Sequence, residues 1–352
     1  MPVRHRPMEP RDVGECAEIV AKHPVIGPRY GSRIKGLSGA WRRLLTCEPK
    51  SMIVFYADDG PRSPICFVGV SIFVTDDFVR ELKAPPGFWM GPELVKRILR
   101  GDSPVLLESQ FVEANSRGGL NLVVWEGCFR SGFETNSEIL GHVMTTFIED
   151  HAGYLLKEII SSQIESVERL RWALGAGTGP WNYVAGCYQK SFTMPLERIV
   201  EKPHLLGTTR EMERTDPWSR IGSLFDYRPP RCGFSRSERR MLLAALQGET
   251  DEKLSRELDV SVPTIKKMWI SVYRRIDDRL PELNPNRSEP EVEMTQRGKE
   301  KKRHLLNYLR KHPEELRPVS QKLLSKPPAT DRPSGKHRSQ RNVTGAQDSS
   351  PD

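Results

Sequence analysis

Residues 137–177 read SEILGHVMTTFIEDHAGYLLKEIISSQIESVERLRWALGAG. Ser137–His151 has the spacing of a helix, His151–Gly153 makes a short turn, and Tyr154–Ser161 has the apolar run of a strand. Ser166–Leu174 then forms a short helix that runs into Gly175. Working outward, Ser51–Tyr56 (SMIVFY) and Ile65–Val74 (ICFVGVSIFV) are strands. The turn-rich stretch Ala57–Pro64 joins them into an antiparallel hairpin. Asp58 and Asp59 fall in that turn. Val105–Val112, Leu120–Trp125 and Trp181–Tyr188 read as further strands, and Glu9–His23 and Trp41–Leu45 as helices. The order of helices and strands defines an α+β layer pattern over residues 1–205, with a mixed or antiparallel sheet.

The chain has 352 residues with a net charge of +8, enough length for two domains and a tail. No apolar run approaches the roughly 20 residues that cross a bilayer, and Met1–Pro10 lacks a secretory apolar core. Six scattered cysteines form no Cys-x-x-Cys pair, and no two of the eight histidines have metal-ligand spacing. A cytoplasmic setting without metal or cofactor is the expectation. Gly175, Gly177 and Gly179 follow a helix, the reverse of a phosphate-binding strand–loop–helix, and read as a turn. The charge is uneven. Residues 1–230 hold 28 basic and 28 acidic side chains, residues 231–284 hold 11 and 9, and residues 285–352 hold 15 and 9.

The second informative stretch is residues 234–276, FSRSERRMLLAALQGETDEKLSRELDVSVPTIKKMWISVYRRI. Ser235 and Glu238 form a capping box for a first helix, which Gly248 ends. Thr250 caps a second helix, with Asp251 and Glu252 in its first turn. Asp259 and Val260 make a turn, Ser261 caps a third helix, and Pro263 sits in its first turn. Ile265, Val272 and Ile276 share one face. The opposite face offers Thr264, Lys266, Lys267, Ser271 and Arg274, hydroxyls and cations of the kind that meet phosphates and base edges.

This segment resembles the LuxR/GerE-type helix-turn-helix. Phe234, Ser235, Glu238, Met241, Leu242, Gly248, Thr250, Leu254, Ser255, Leu258, Val260, Ser261, Thr264, Ile265 and Lys266 match the family register without a gap. The resemblance implies a transcription regulator that docks in the major groove of double-stranded DNA. Ser235, Thr264, Lys266, Lys267, Ser271 and Arg274 are the expected contacts, and RNA polymerase and a small-molecule effector are the further partners of such a protein. Pro281, Pro285 and Pro290 oppose the family's fourth, dimerising helix. Met294–Leu309 forms a basic helix with Leu305, Leu306, Tyr308 and Leu309 on its apolar side. It is expected to pack on the trio.

The order of elements in residues 1–205 resembles the GNAT acetyltransferase fold, most closely over Ile139–Gly177. That resemblance implies an acetyl-CoA loop before the helix, where the chain reads RSGFETNSEILG. Arg130, Gly132 and Gly141 do not reproduce the loop's spacing, so no catalysis is expected. The domain expectation is 1–205 α+β, 206–231 linker, 232–284 helix-turn-helix, 285–325 basic helical extension and 326–352 disordered tail. The alternative to a regulator is a GNAT-like acetyltransferase carrying a DNA-targeting domain.

Overall fold

The computed structural model describes residues 3–47, 50–57, 63–134, 136–162, 166–189, 202–216, 219–283 and 294–320. The Asp58–Asp59 turn, the prolines at 285 and 290 and the tail from 326 lie outside them. The architecture is mixed α+β. Among the described residues, eight strands form a mostly antiparallel sheet: β1 (Val3–Pro7), β2 (Lys50–Ala57), β3 (Ile65–Val74), β4 (Leu120–Phe129), β5 (Leu156–Ser161), β6 (Gly179–Asn182), β7 (Cys187–Tyr188) and β8 (Leu206–Thr209). Their order is β1-β2-β3-β4-β5-β8-β6-β7. Among the described residues only β4 and β5 run parallel, because a helix, α7 (Ser137–His151), carries the chain back between them.

The remaining helices are α1 (Val13–Lys22), α2 (Ile26–Tyr30), α3 (Leu37–Leu45), α4 (Asp76–Lys83), α5 (Met90–Arg100), α6 (Glu108–Glu113), α8 (Val167–Gly175) and α9 (Arg210–Glu213), followed by α10 (Arg236–Leu246), α11 (Asp251–Glu257), α12 (Val262–Arg279) and α13 (Met294–Lys311). α1 to α5 cover one sheet face. There, Val54, Val68, Val70, Ile72, Val123 and Trp125 join helix residues such as Val20, Trp41 and Leu94 in one continuous core. On the opposite face, under α7 and α8, the apolar side chains fall into two separate groups. One centres on Phe55, Phe67 and Phe129, the other on Phe73, Leu120, Leu122 and Ile159.

Three expectations are corrected here. Val105–Val112 is not a strand. Val105 makes a single bridge to Val74, and the chain turns into α6 because the Gln110 side chain accepts the Leu107 N–H at 2.9 Å. The span 206–231 is not a free linker, since β8 lies inside the sheet between β5 and β6. The hairpin at 179–188 also has its own turn, splitting the expected strand into β6 and β7.

After residue 230 the chain builds an all-helical unit. Ser235, Thr250 and Ser261 accept hydrogen bonds from the amides of Glu238, Lys253 and Thr264 and so cap α10, α11 and α12. Met241, Leu242, Leu254, Ile265, Trp269, Val272 and Ile276 form its core, and Leu305 and Leu309 of α13 join them. Glu315, 1% exposed, accepts the amides of Arg231 (3.0 Å) and Cys232 (2.8 Å) and the Tyr308 hydroxyl. It thereby ties the unit's first and last residues together. The following residues return to the sheet domain. Arg317 donates to the carbonyls of Ala152, Glu149 and Asp150 at the end of α7. Asn115 donates to the Pro318 carbonyl at 2.7 Å.

Candidate functional site

The site grows out of one irregularity in β4. Pairing of β3 with β4 slips so that Val70 faces Glu126 and Ser71 faces Val124, leaving Trp125 as an extra residue. Such a bulge bends a strand and re-aims its side chains. The described pairing of β4 with β5 ends at Val124 and Ser161, whereas pairing with β3 continues to Phe129. Among the described residues, β4 therefore runs on beyond the bulge paired with β3 alone.

Glu126 sits at that point and is 1% exposed. It accepts the hydroxyl of Tyr30, from α2, in a short hydrogen bond. The Tyr30 oxygen in turn accepts the Trp125 indole N–H at 2.9 Å. Burial, reinforced by the Glu126 charge, pushes the Tyr30 phenol well above its ordinary pKa. Tyr30 thus stays protonated and remains a donor.

Across the sheet, on the α7 and α8 side, is a cavity of about 180 Å³ lined by Gly69, Gly127, Val143, Met144 and Ile159; Glu126 borders it while its carboxylate is turned to Tyr30 of α2. Most of its walls are apolar side chains, with Ser51, Ser71, Ser161 and Thr178 among the polar ones. His151, at the end of α7, lines the cavity as well. Its Nδ1 lies 2.7 Å from the Phe147 carbonyl. Burial lowers its pKa, so the ring is neutral and Nδ1–H donates to that carbonyl. Arg169 of α8 closes one end, stacked 4.4 Å over the Phe129 ring, with a hydrogen bond to the Glu134 carbonyl.

The start of α7 decides whether a diphosphate fits. A helix N-terminus attracts anions through its free amides. Here the Asn136 side chain accepts the Glu138 and Ile139 amides at 3.0 and 3.1 Å, and Glu134 accepts the Gly132 amide at 2.8 Å. With those amides taken and carboxylates beside them, the acetyl-CoA diphosphate does not fit this loop.

The residues expected to touch DNA fall into two groups. Lys266, Lys267, Ser271 and Arg274 lie on the exposed side of α12, and Thr264 is half-buried. Ser235 is spent in its capping box, Thr264 shares a hydrogen bond with Ser261, and the Ser271 hydroxyl donates to Glu238 at 2.8 Å. Cations from α13 are neutralised within the unit, Lys301 by Asp277 and Lys302 by Asp251.

Sequence reading missed Glu126, Gly69 and Gly127. The signal was present in LVVWEGCF: a carboxylate amid apolar residues in a buried strand is rare without a role. The strand's register with β3 was not readable.

No family model matches the chain, and no curated protein matches it. Similar solved structures include one described as histone acetyltransferase HPA2 and related acetyltransferase, from Corynebacterium glutamicum. It is 12% identical over 59% of this chain and 95% of that one, with a TM-score of 0.32. Another is an uncharacterised protein from Bacillus halodurans, 9% identical over 63% and 91%, with a TM-score of 0.33. At those values neither likeness assigns an activity. Neither is described as a DNA-binding regulator and no helix-turn-helix family model matches, so the reading of this chain as a LuxR-type transcription regulator is corrected. The physical reason for the misreading is that caps at Ser235, Thr250 and Ser261 and a core at Ile265, Val272 and Ile276 are what any compact helical trio needs.

Proposed function

We propose that the sheet domain handles acyl groups, as an acyltransferase of GNAT-like layout. One observation carries this reading: a buried carboxylate, Glu126, is held by Tyr30 at a bulge in β4, with an apolar-walled cavity bordering the same stretch of strand. Among the described residues, the edge of β4 beyond Val124 has no β5 partner and would offer backbone groups to an amide-bearing ligand. The apolar cavity suits an acyl chain. In the proposed step an amine attacks the carbonyl of an acyl thioester, Glu126 takes the amine's proton, and the thiolate leaves and is protonated from solvent. Tyr30 positions the Glu126 carboxylate. The filled α7 N-terminus bears on the donor's nucleotide end alone, not on transfer.

The test is thiol release from acyl-CoA and acyl-pantetheine thioesters with a panel of amines. Glu126→Gln is expected to lower turnover by about 10²-fold or more, the scale of a lost general base, with the fold retained by circular dichroism. Failure of every thioester to bind by calorimetry, or full activity in Glu126→Gln, refutes the proposal.

A further inference from the structure

Gly69 and Gly127 face each other across β3 and β4 in the middle of the sheet. Both lie on the face beneath α7, and both line the cavity. Glycine inside a strand costs about 0.5–1 kcal/mol each relative to a side-chain-bearing residue, so a facing pair needs a cause. The backbone does not supply one. Neither residue is in the left-handed region. A Cβ at Gly127 would meet only the Phe67 ring, at 3.6 and 3.9 Å, an ordinary contact. A Cβ at Gly69 would touch only side-chain atoms of Ile53 and Phe67, at 3.0–3.4 Å. What the pair does provide is a gap. It lies where the apolar side chains of this face divide into their two groups. Across it, Leu140, Val143, Met144 and Phe147 of α7 stay only half-buried.

The gap has a size. A dry apolar cavity of about 150 Å³ holds benzene, six carbons. At about 180 Å³ this one has room for about seven. We infer that the cavity over Gly69 and Gly127 takes a straight apolar chain of about six to eight carbons. This rests on the acyl reading in one respect: with it, the preferred donor is a medium-chain thioester rather than an acetyl one. The filled amides at Glu138 and Ile139 add that the donor's nucleotide contributes little to its affinity.

Two series test the inference on the full-length protein. In the first, straight-chain alcohols from four to ten carbons are scored by the rise they give in thermal midpoint. The rise is expected to peak at six to eight carbons, whatever chemistry the protein performs. In the second, pantetheine and CoA thioesters with two- to twelve-carbon acyl chains are titrated by calorimetry. Affinity should tighten about fourfold for each added methylene, the equivalent of about 0.8 kcal/mol, and level off near eight carbons. CoA and pantetheine esters of one chain length should agree within about threefold. Gly127→Val places a strand-favouring side chain in the gap. It should leave the thermal midpoint of the empty protein unchanged or higher and move the optimum in both series about three carbons shorter. A flat alcohol series, or an optimum unmoved by Gly127→Val, overturns the inference. A peaked alcohol series with no thioester binding sinks the acyl reading and leaves the chain-length preference standing. Tightest binding by the acetyl ester overturns the donor assignment.

Discussion

Replacing Gly153 with alanine should loosen the hold of the C-terminal residues on the sheet domain. Gly153 follows α7 with φ +80°. A Cβ there would lie 2.4 Å from the Glu314 nitrogen and 2.7–2.8 Å from backbone carbons of Pro313 and Glu314. No flexible side chain can yield, so the backbone at 313–314 must move. The first casualty is Arg317, whose guanidinium makes three hydrogen bonds to carbonyls at the end of α7, at 2.8–3.1 Å, and stacks 4.3 Å over Tyr154. The left-handed conformation alone costs alanine about 1 kcal/mol. Losing three such bonds adds about 3 kcal/mol, at roughly 1 kcal/mol net for each. Gly101→Ala is the control, because Gly101 has φ +85° and open space around its would-be Cβ. Urea unfolding should therefore show a loss of about 1 kcal/mol for the control and about 4 kcal/mol for Gly153→Ala. Limited trypsin digestion should cut after Lys311 faster in the latter only. Equal losses in the two variants, or unchanged trypsin resistance, would mean that the close approach at Glu314 holds nothing in place.

Acid should weaken the fold through His204, which is 9% exposed and which burial pushes down to about 4 from 6.5. The unfolded chain takes up a proton near pH 6.5 that the folded chain refuses. Stability is therefore full above that pH and declines between 6.5 and 4, by about 3 kcal/mol in total. His204→Leu should flatten this part of a denaturation-versus-pH profile, and a profile identical to the native one counts against the buried neutral ring. Glu315→Gln keeps the shape but replaces an acceptor oxygen facing the Arg231 and Cys232 amides. It should cost about 2 kcal/mol, read as earlier urea unfolding of the helical unit, and no change would show that those amides find other partners.

The hairpin of β2 and β3 was legible because β-branched and aromatic residues run unbroken on either side of turn residues. α7 was legible to its ends, Ser137 and His151, because the apolar spacing starts and stops there. The caps of the helical unit were equally plain. Other parts rest on information that no local window holds. β8 is four residues, Leu206–Thr209, between a proline-bearing stretch and a charged one, and it becomes a strand only because β5 and β6 leave a place for it. α4 did carry a local signal, Thr75 accepting the Phe78 amide ahead of Asp76 and Asp77, but the reading passed over it. The candidate site depends on register: Gly69 and Gly127 are unremarkable until one knows that they are partners. The functional misreading had the opposite origin. The helical trio's local signals were strong, and they described stability more than recognition.

The place of β8 also constrains how the chain is made. It enters between β5 and β6, both of which leave the ribosome earlier, so the nascent sheet waits with a slot open until residue 209 has emerged. At translation speeds of about 5–20 residues per second, β5 and β6 spend seconds exposing unmatched edges. A gene truncated at residue 205, the boundary expected from the order of elements in the sequence, would leave that slot empty for good. Any separately expressed front fragment should extend at least through α9.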